Sequence, residues 1–172
     1  TVFKAKDQIN SITTPIPFEL GITPKDNTAI SFETNFKLFK KLQVQTDFAT
    51  SSITEDTMVA TTASRKLNAS LFLKPNTTTT HYNAYKAQLA YPTGKGTLGF
   101  SYERIDPNYR TLGGYFFNND LENITVNATQ TVFYDKINLS MNLGLQKDNL
   151  DKQKQSQMTR LVTSVTANFK VN

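Results

Sequence analysis

Cysteine and tryptophan are absent from this 172-residue chain, histidine occurs once, and glycine and proline number only seven and six. Without cysteine there is no disulfide scaffold, no thiolate metal site and no thiol nucleophile. The lone imidazole, His81, excludes the usual multi-histidine metal centres and leaves little for histidine-based catalysis. No run approaches the ~18 apolar residues that a membrane-spanning helix needs. Neither end has the make-up of a signal peptide. Charge is also scarce, at 19% of residues, with a net value of +5. Lys4, Lys6, Lys25, Lys66, Lys152 and Lys154 are scattered among acids without a basic stripe, so no nucleic-acid partner is expected.

What the chain has in excess is threonine and asparagine, 25 and 16 residues. Threonine suits a pleated, half-exposed surface, whereas asparagine favours turns and caps. Few stretches are rich in helix formers, and the composition reads as all-β. Periodicity agrees. Ile30, Phe32, Thr34, Phe36 and Leu38 alternate with Ser31, Glu33, Asn35 and Lys37. Ile137, Leu139, Met141, Leu143 and Leu145 alternate with Asn138, Ser140, Asn142, Gly144 and Gln146. The same period of two recurs in 42–50, 81–91, 97–105, 122–133 and 160–171, giving each segment one apolar and one polar face.

Two architectures produce this pattern. In a soluble sandwich the apolar faces meet each other; in an outer-membrane barrel they meet lipid and the polar faces line the interior. Three features favour the barrel. Most segments run about nine to twelve residues, the length of a tilted strand crossing a bilayer, where soluble strands are nearer five or six. The polar faces are mostly Asn, Gln, Ser and Thr, with few of the charges expected on a water-exposed sheet. Connections alternate between tight (Lys40-Lys41, Pro92 to Gly96, Tyr134-Asp135) and long (51–80, 105–121, 147–159), as in barrels with short periplasmic turns and long external loops.

That rhythm predicts seven strands near 29–38, 42–50, 81–91, 97–105, 122–133, 136–146 and 160–171, with 1–28 an external loop. Single-chain bacterial barrels use even strand counts. An odd set, without a terminal aromatic at Lys170-Val171-Asn172, points to an incomplete segment of a larger barrel; an eighth strand through Leu67, Ala69, Leu71 and Leu73 is the alternative. Tyr82, Tyr85, Tyr91, Tyr102, Phe133 and Tyr134 fall near strand ends, where interfacial girdles place aromatic rings.

The run Tyr102-Glu103-Arg104-Ile105-Asp106-Pro107-Asn108-Tyr109, followed by Leu112-Gly113-Gly114-Tyr115-Phe116-Phe117-Asn118-Asn119-Asp120-Leu121-Glu122-Asn123, resembles large outer-membrane β-barrel proteins of the Bacteroidota. Gly144-Leu145-Gln146-Lys147-Asp148-Asn149-Leu150 and the closing strand Arg160 to Phe169 are similar to the same family. The resemblance spans roughly 81–170. It implies a membrane barrel within a longer polypeptide and carries over no activity and no catalytic residue.

The 105–121 loop combines the turn-initiating Asp106-Pro107, the permissive Gly113-Gly114, and the apolar mass of Tyr109, Tyr115, Phe116 and Phe117. It is expected to be ordered, packed over the barrel mouth or set against a partner, with Asp106, Tyr109, Tyr115, Phe116 and Phe117 as the candidate gating or partner-binding residues. Asp56-Thr57-Met58 resembles the short O-glycosylation motif of Bacteroidota, with Thr57 as acceptor. Asn68, Asn76, Asn123, Asn127 and Asn138 lie in N-x-[ST] sequons that an Asn/Thr-rich chain produces by chance. Asn118-Asn119-Asp120 has too few carboxylates for calcium, and Asp148, Asn149 and Asp151 lack the required glycine and spacing. His81 and Ser64 lack the nucleophile-elbow motif of a hydrolase. No catalysis, cofactor or metal is expected.

The sequence therefore predicts an antiparallel transmembrane β-barrel segment, porin-like in having a polar interior, in the bacterial outer membrane. The expected role is transport, secretion-associated or structural, with the lipid bilayer and other outer-membrane proteins as partners. A soluble secreted β-sandwich or adhesin-like binding module is the alternative.

Overall fold

The computed structural model describes residues 1–9, 21–61, 73–114 and 118–170. The described elements are strands only: β1 (Val2–Lys6), β2 (Asp26–Leu38), β3 (Leu42–Thr54), β4 (Thr79–Pro92), β5 (Gly96–Ile105), β6 (Leu121–Val132), β7 (Ile137–Lys147) and β8 (Thr159–Phe169). They form one sheet in the order of the sequence, so each strand pairs with its chain neighbours. The sheet is not closed, and β1 and β8 are its edges. The fold is thus all-β and antiparallel, with eight strands among the described residues.

β2 to β5 contain the alternating segments and extend them by one to four residues at the ends, whereas β6, β7 and β8 overlap theirs with the ends shifted by one or two residues. The extensions are instructive. β3 continues to Thr54 through Thr50, Ser51 and Ser52, and β2 begins at Asp26, where the apolar rhythm has lapsed. These ends are buried instead of alternating between two media: Asn27 bonds to Ser51 and Ser52, while the Ser52 and Thr54 hydroxyls contact His81 and Thr79 of β4.

The eighth described strand, β1, falls within the expected external loop 1–28. Residues 1–28 are not all loop, because Val2–Lys6 pairs antiparallel with Asp26–Ile30, from Val2↔Ile30 to Lys6↔Asp26. Five residues with two lysines give too brief a pattern to stand out, and the pairing rests on backbone bonds and on Lys4, whose Nζ lies 2.6 Å from the buried Asp26 Oδ1. Of the alternative strand, Leu67, Ala69 and Leu71 lie outside the described residues, and Leu73 is a buried residue in a bend.

The chain divides into two compact units: Thr1–Phe32, Ala49–Asn83 and Tyr109–Phe117 in the first, and Glu33–Phe48, Ala84–Asn108 and Asn118–Asn172 in the second. The first unit has a buried interior rich in polar groups, with Asn27, Thr28, Ser51, Ser52 and Thr54 essentially inaccessible beside Ile53. The second is a stretch of sheet whose strands are largely uncovered. Among the described residues of the whole chain, five hydrophobic side chains are buried (Val44, Ile53, Leu73, Tyr82, Tyr109), against ten polar or charged ones. This reverses the partition of an ordinary soluble core.

Candidate functional site

In the second unit the register sets like against like. One row across β4–β8 reads Leu89, Phe100, Val126, Leu143, Thr163, and the next reads Tyr91, Leu98, Ala128, Met141, Val165. Gln130, Leu139 and Ala167 follow, then Val132, Ile137 and Phe169. Because side chains alternate along every strand, these rows share one face. Among the described residues no second layer covers it: Leu139, Met141 and Leu143 are 40, 50 and 38% exposed, and Phe100, Val126, Val165 and Phe169 are exposed as well. From Ile137 to Leu143 these four rows span about 20 Å at ~3.4 Å per residue, and with strands ~4.8 Å apart their sixteen positions cover roughly 500 Å2 even in flat projection. A typical monomer's largest apolar patch is about 300–600 Å2 of accessible surface, and side-chain relief would raise the accessible area above the projected figure.

The opposite face is polar and almost without charge. Its rows include Ala90, Gly99, Asn127, Asn142, Ser164 and Thr97, Thr129, Ser140, Thr166. They floor a depression of about 520 Å3 that also takes in Asn35, Gln43, Gln45 and Gln88. A Cβ at Gly99 would run into the Asn127 amide, so the glycine makes room for that side chain. Lys86 and Glu103 face each other across β4 and β5, so the few charges are of both signs. An uncharged field of amides and hydroxyls can hold water or neutral solutes without selecting an ion's sign.

The apolar rows end in a charged line at one end of the unit. Arg104 faces Glu122, and Glu122 faces Lys147. The Arg104 guanidinium lies 3.7 Å from Glu122 and 3.8 Å from Asp106, and Tyr102 donates its hydroxyl to Glu122 Oε1 at 3.0 Å. At the other end stand the tight turns with exposed Phe39, Phe133 and Tyr134. Of the expected girdle, Tyr85, Tyr91, Tyr102, Phe133 and Tyr134 belong to this unit. Tyr82 does not; it is buried in the first unit.

In the first unit, fully buried Asn27 is the organising residue. Its Nδ2 donates to Ser51 Oγ at 3.0 Å and Ser52 O at 2.9 Å, and its Oδ1 accepts the Leu112 amide at 2.9 Å. The 105–121 loop is thereby fastened at Leu112. Gly113 lies against the Phe3 ring, and Arg110 pairs with Glu55, which also holds Lys25 at 2.8 Å. Tyr109 is buried, which raises its phenol's pKa. Asp106, in the second unit, accepts the Asp120 amide through its carbonyl at 3.3 Å. Tyr115, Phe116 and Phe117 lie outside the described residues.

Asp120 and Asn149 organise the β7–β8 connection. The buried Asp120 carboxylate accepts the Asn149 and Leu150 amides at 3.0 and 2.7 Å and pairs with Lys154. Burial opposes its charge, yet these three donors prevail and hold its carboxyl below the usual range. Lys154 is held above its ordinary value by the same contact. Asn149, at φ 57°, spans the loop by donating to Lys154 O at 3.1 Å and accepting the Lys154 amide at 2.9 Å. Asp120, Asp148, Asn149 and Asp151 thus use side-chain oxygens on the protein's own donors, and among the described residues no acidic or histidine cluster suits a metal.

Thr57 is half-buried, with its Oγ1 enclosed and without a hydrogen-bond partner. Asn76 donates its amide to Asp56 O at 2.7 Å and accepts the Thr78 amide at 2.8 Å, a pin within the first unit. His81 Nδ1 lies 2.7 Å from Ser52 Oγ. Ser52 is completely buried, and the contact ties β3 to β4. Ser64 lies outside the described residues. Sequence reasoning missed Asn27 and Asp120 as organisers, since their partners are 24 to 85 and about 30 residues away. Scans against family models, curated proteins and solved structures each find no match to this chain.

Proposed function

We propose that the chain is wall of an outer-membrane β-barrel: the apolar face of the second unit meets acyl chains, the polar face lines a hydrated interior, and the ordered loops stand outside. The role is transport, secretion-associated or structural, without catalysis. One observation carries this reading. A broad apolar face with no covering layer stands opposite a face of neutral hydrogen-bonding groups, while the buried interior elsewhere is polar. A bilayer makes that inversion favourable, because lipid takes the apolar side chains and the ladder satisfies the backbone. A soluble sandwich needs a second sheet over those rows, and the eight described strands belong to a single sheet. Closure of the wall requires that the free edge of β8, exposed along all eleven residues, be paired. The resemblance of 81–170 to Bacteroidota barrel proteins points the same way.

Fractionation tests the reading. The chain is expected in the outer-membrane pellet, resistant to a urea wash and released by detergent. Recovery as a monodisperse species in plain buffer would overturn it.

A further inference from the structure

The turns at one end of the second unit are built at a conformational cost that the fold does not recover. Leu38–Lys41 closes with Lys41 donating its amide to Leu38 O at 3.2 Å, and the two central residues, Phe39 and Lys40, have φ 49° and 64°. Phe133–Lys136 closes in the same way at 3.1 Å, with φ 52°, 54° and 67° at Phe133, Tyr134 and Asp135. Such left-handed positions favour Asn and Gly, and a bulky side chain there is strained. The third tight turn has the ordinary solution, Gly94 at φ 80°. Yet Phe39, Phe133 and Tyr134 are 90, 70 and 98% exposed, so their rings add nothing to the packing.

The same end is strongly basic. Lys40, Lys41, Lys95, Lys136 and Lys170 stand against one carboxylate, Asp135, which holds Lys95 at 2.8 Å. Lys95, Lys136 and Lys170 are on neighbouring backbone, the Thr131 amide donating to Lys95 O at 3.0 Å and the Lys170 amide to Lys136 O at 2.8 Å, and Lys40 and Lys41 lie in the β2–β3 turn at the same end of the sheet. Past the last apolar row, Val132, Ile137 and Phe169, the turns carry exposed rings and lysines together. Acyl chain, interfacial zone and phosphate follow one another in that order in a leaflet, and aromatic rings and lysines are the side chains suited to the outer two zones.

We propose that this end docks on the headgroups of anionic phospholipids, with Phe39, Phe133 and Tyr134 seated in the interfacial zone and Lys40, Lys41, Lys136 and Lys170 on the phosphates. The inference rests on the bilayer reading and adds the leaflet chemistry that this end recognises.

Refolding of the full chain from urea tests it, in vesicles of phosphatidylcholine alone and of two parts phosphatidylcholine to one part phosphatidylglycerol. The anionic lipid is expected to speed association at least about tenfold at low salt, since each lysine near such a surface contributes a sizeable attraction. The triple variant Lys40→Gln, Lys41→Gln, Lys136→Gln is expected to enter neutral vesicles as the parent does and to lose most of that acceleration. The double variant Phe39→Asn, Tyr134→Asn suits its turns better and therefore folds, but is expected to leave anionic vesicles about threefold faster. Equal rates in the two lipids, or unchanged behaviour of both variants, overturns the docking proposal and leaves the bilayer reading standing. A parent chain that enters neither vesicle overturns the bilayer reading and this inference with it.

Discussion

Asn27 is a single side chain that closes three bonds in a space without water, joining β2 to β3 and to the 105–121 loop. Asn27→Ala leaves the Leu112 amide without its acceptor and Ser52 O without a donor. The expected loss is about 1–3 kcal/mol, the cost of stranding buried polar groups, read as an earlier urea midpoint in detergent micelles together with faster tryptic cutting at Arg110. Asp120 is the corresponding residue of the β7–β8 connection, and its chemistry gives a pH dependence. Its folded pKa is lowered, so its contribution is complete above the unfolded value, about 3.9. That contribution is lost as the pH falls through the lowered folded value. Protection of Lys152 and Lys154 from an acid-tolerant protease is therefore expected to persist at about pH 5 and to fail only well below pH 4. Asp120→Asn is expected to abolish the acid limb of that profile. Neither residue was legible as an organiser, because an isolated Asn or Asp in a polar stretch signals a turn and nothing in sequence spacing names a partner 24 or more residues distant.

At the scale of the strand, legibility follows the medium. Where one face is apolar and the other polar, as in Ile137 to Leu145, the alternation in the sequence is the strand itself, and the register sets Leu143 beside Val126 and Thr163. Where both faces are enclosed by polar contacts, as in Asp26 to Thr28 and Thr50 to Thr54, there is no contrast for the period to show. The seven-strand expectation therefore stopped short of these ends, and it missed β1, whose five residues are joined by backbone bonds to such an end. The two faces of β7 also respond differently to charge. Met141 occupies the central apolar row, and Met141→Lys in a bilayer is expected to cost about 2–4 kcal/mol. Asn142→Lys, one residue away on the polar face, is expected to cost well under ~1 kcal/mol. Urea unfolding of both variants from lipid vesicles reads the difference; equal costs would mean that the faces share one environment.

At the scale of the molecule, the described residues bury polar groups and expose apolar ones, and that inversion unites the proposals made for this chain. The tripartite order in the second unit, charged line, apolar rows, aromatic and lysine turns, gives the uncovered face two borders about one leaflet pair apart, since Lys147 in the charged line and Lys136 in the turn are eleven residues apart, roughly 37 Å along the strand and about 28 Å when tilted as barrel strands are. The absence of native cysteine makes the deciding measurement direct. Single cysteines at positions 139 to 143, each labelled with an environment-sensitive fluorophore, would be inserted into bilayers whose acyl chains carry a bromine quencher. Labels at 139, 141 and 143 are expected to be quenched and those at 140 and 142 to be spared. Uniform emission along the five positions, or quenching on the polar face instead, would contradict the account.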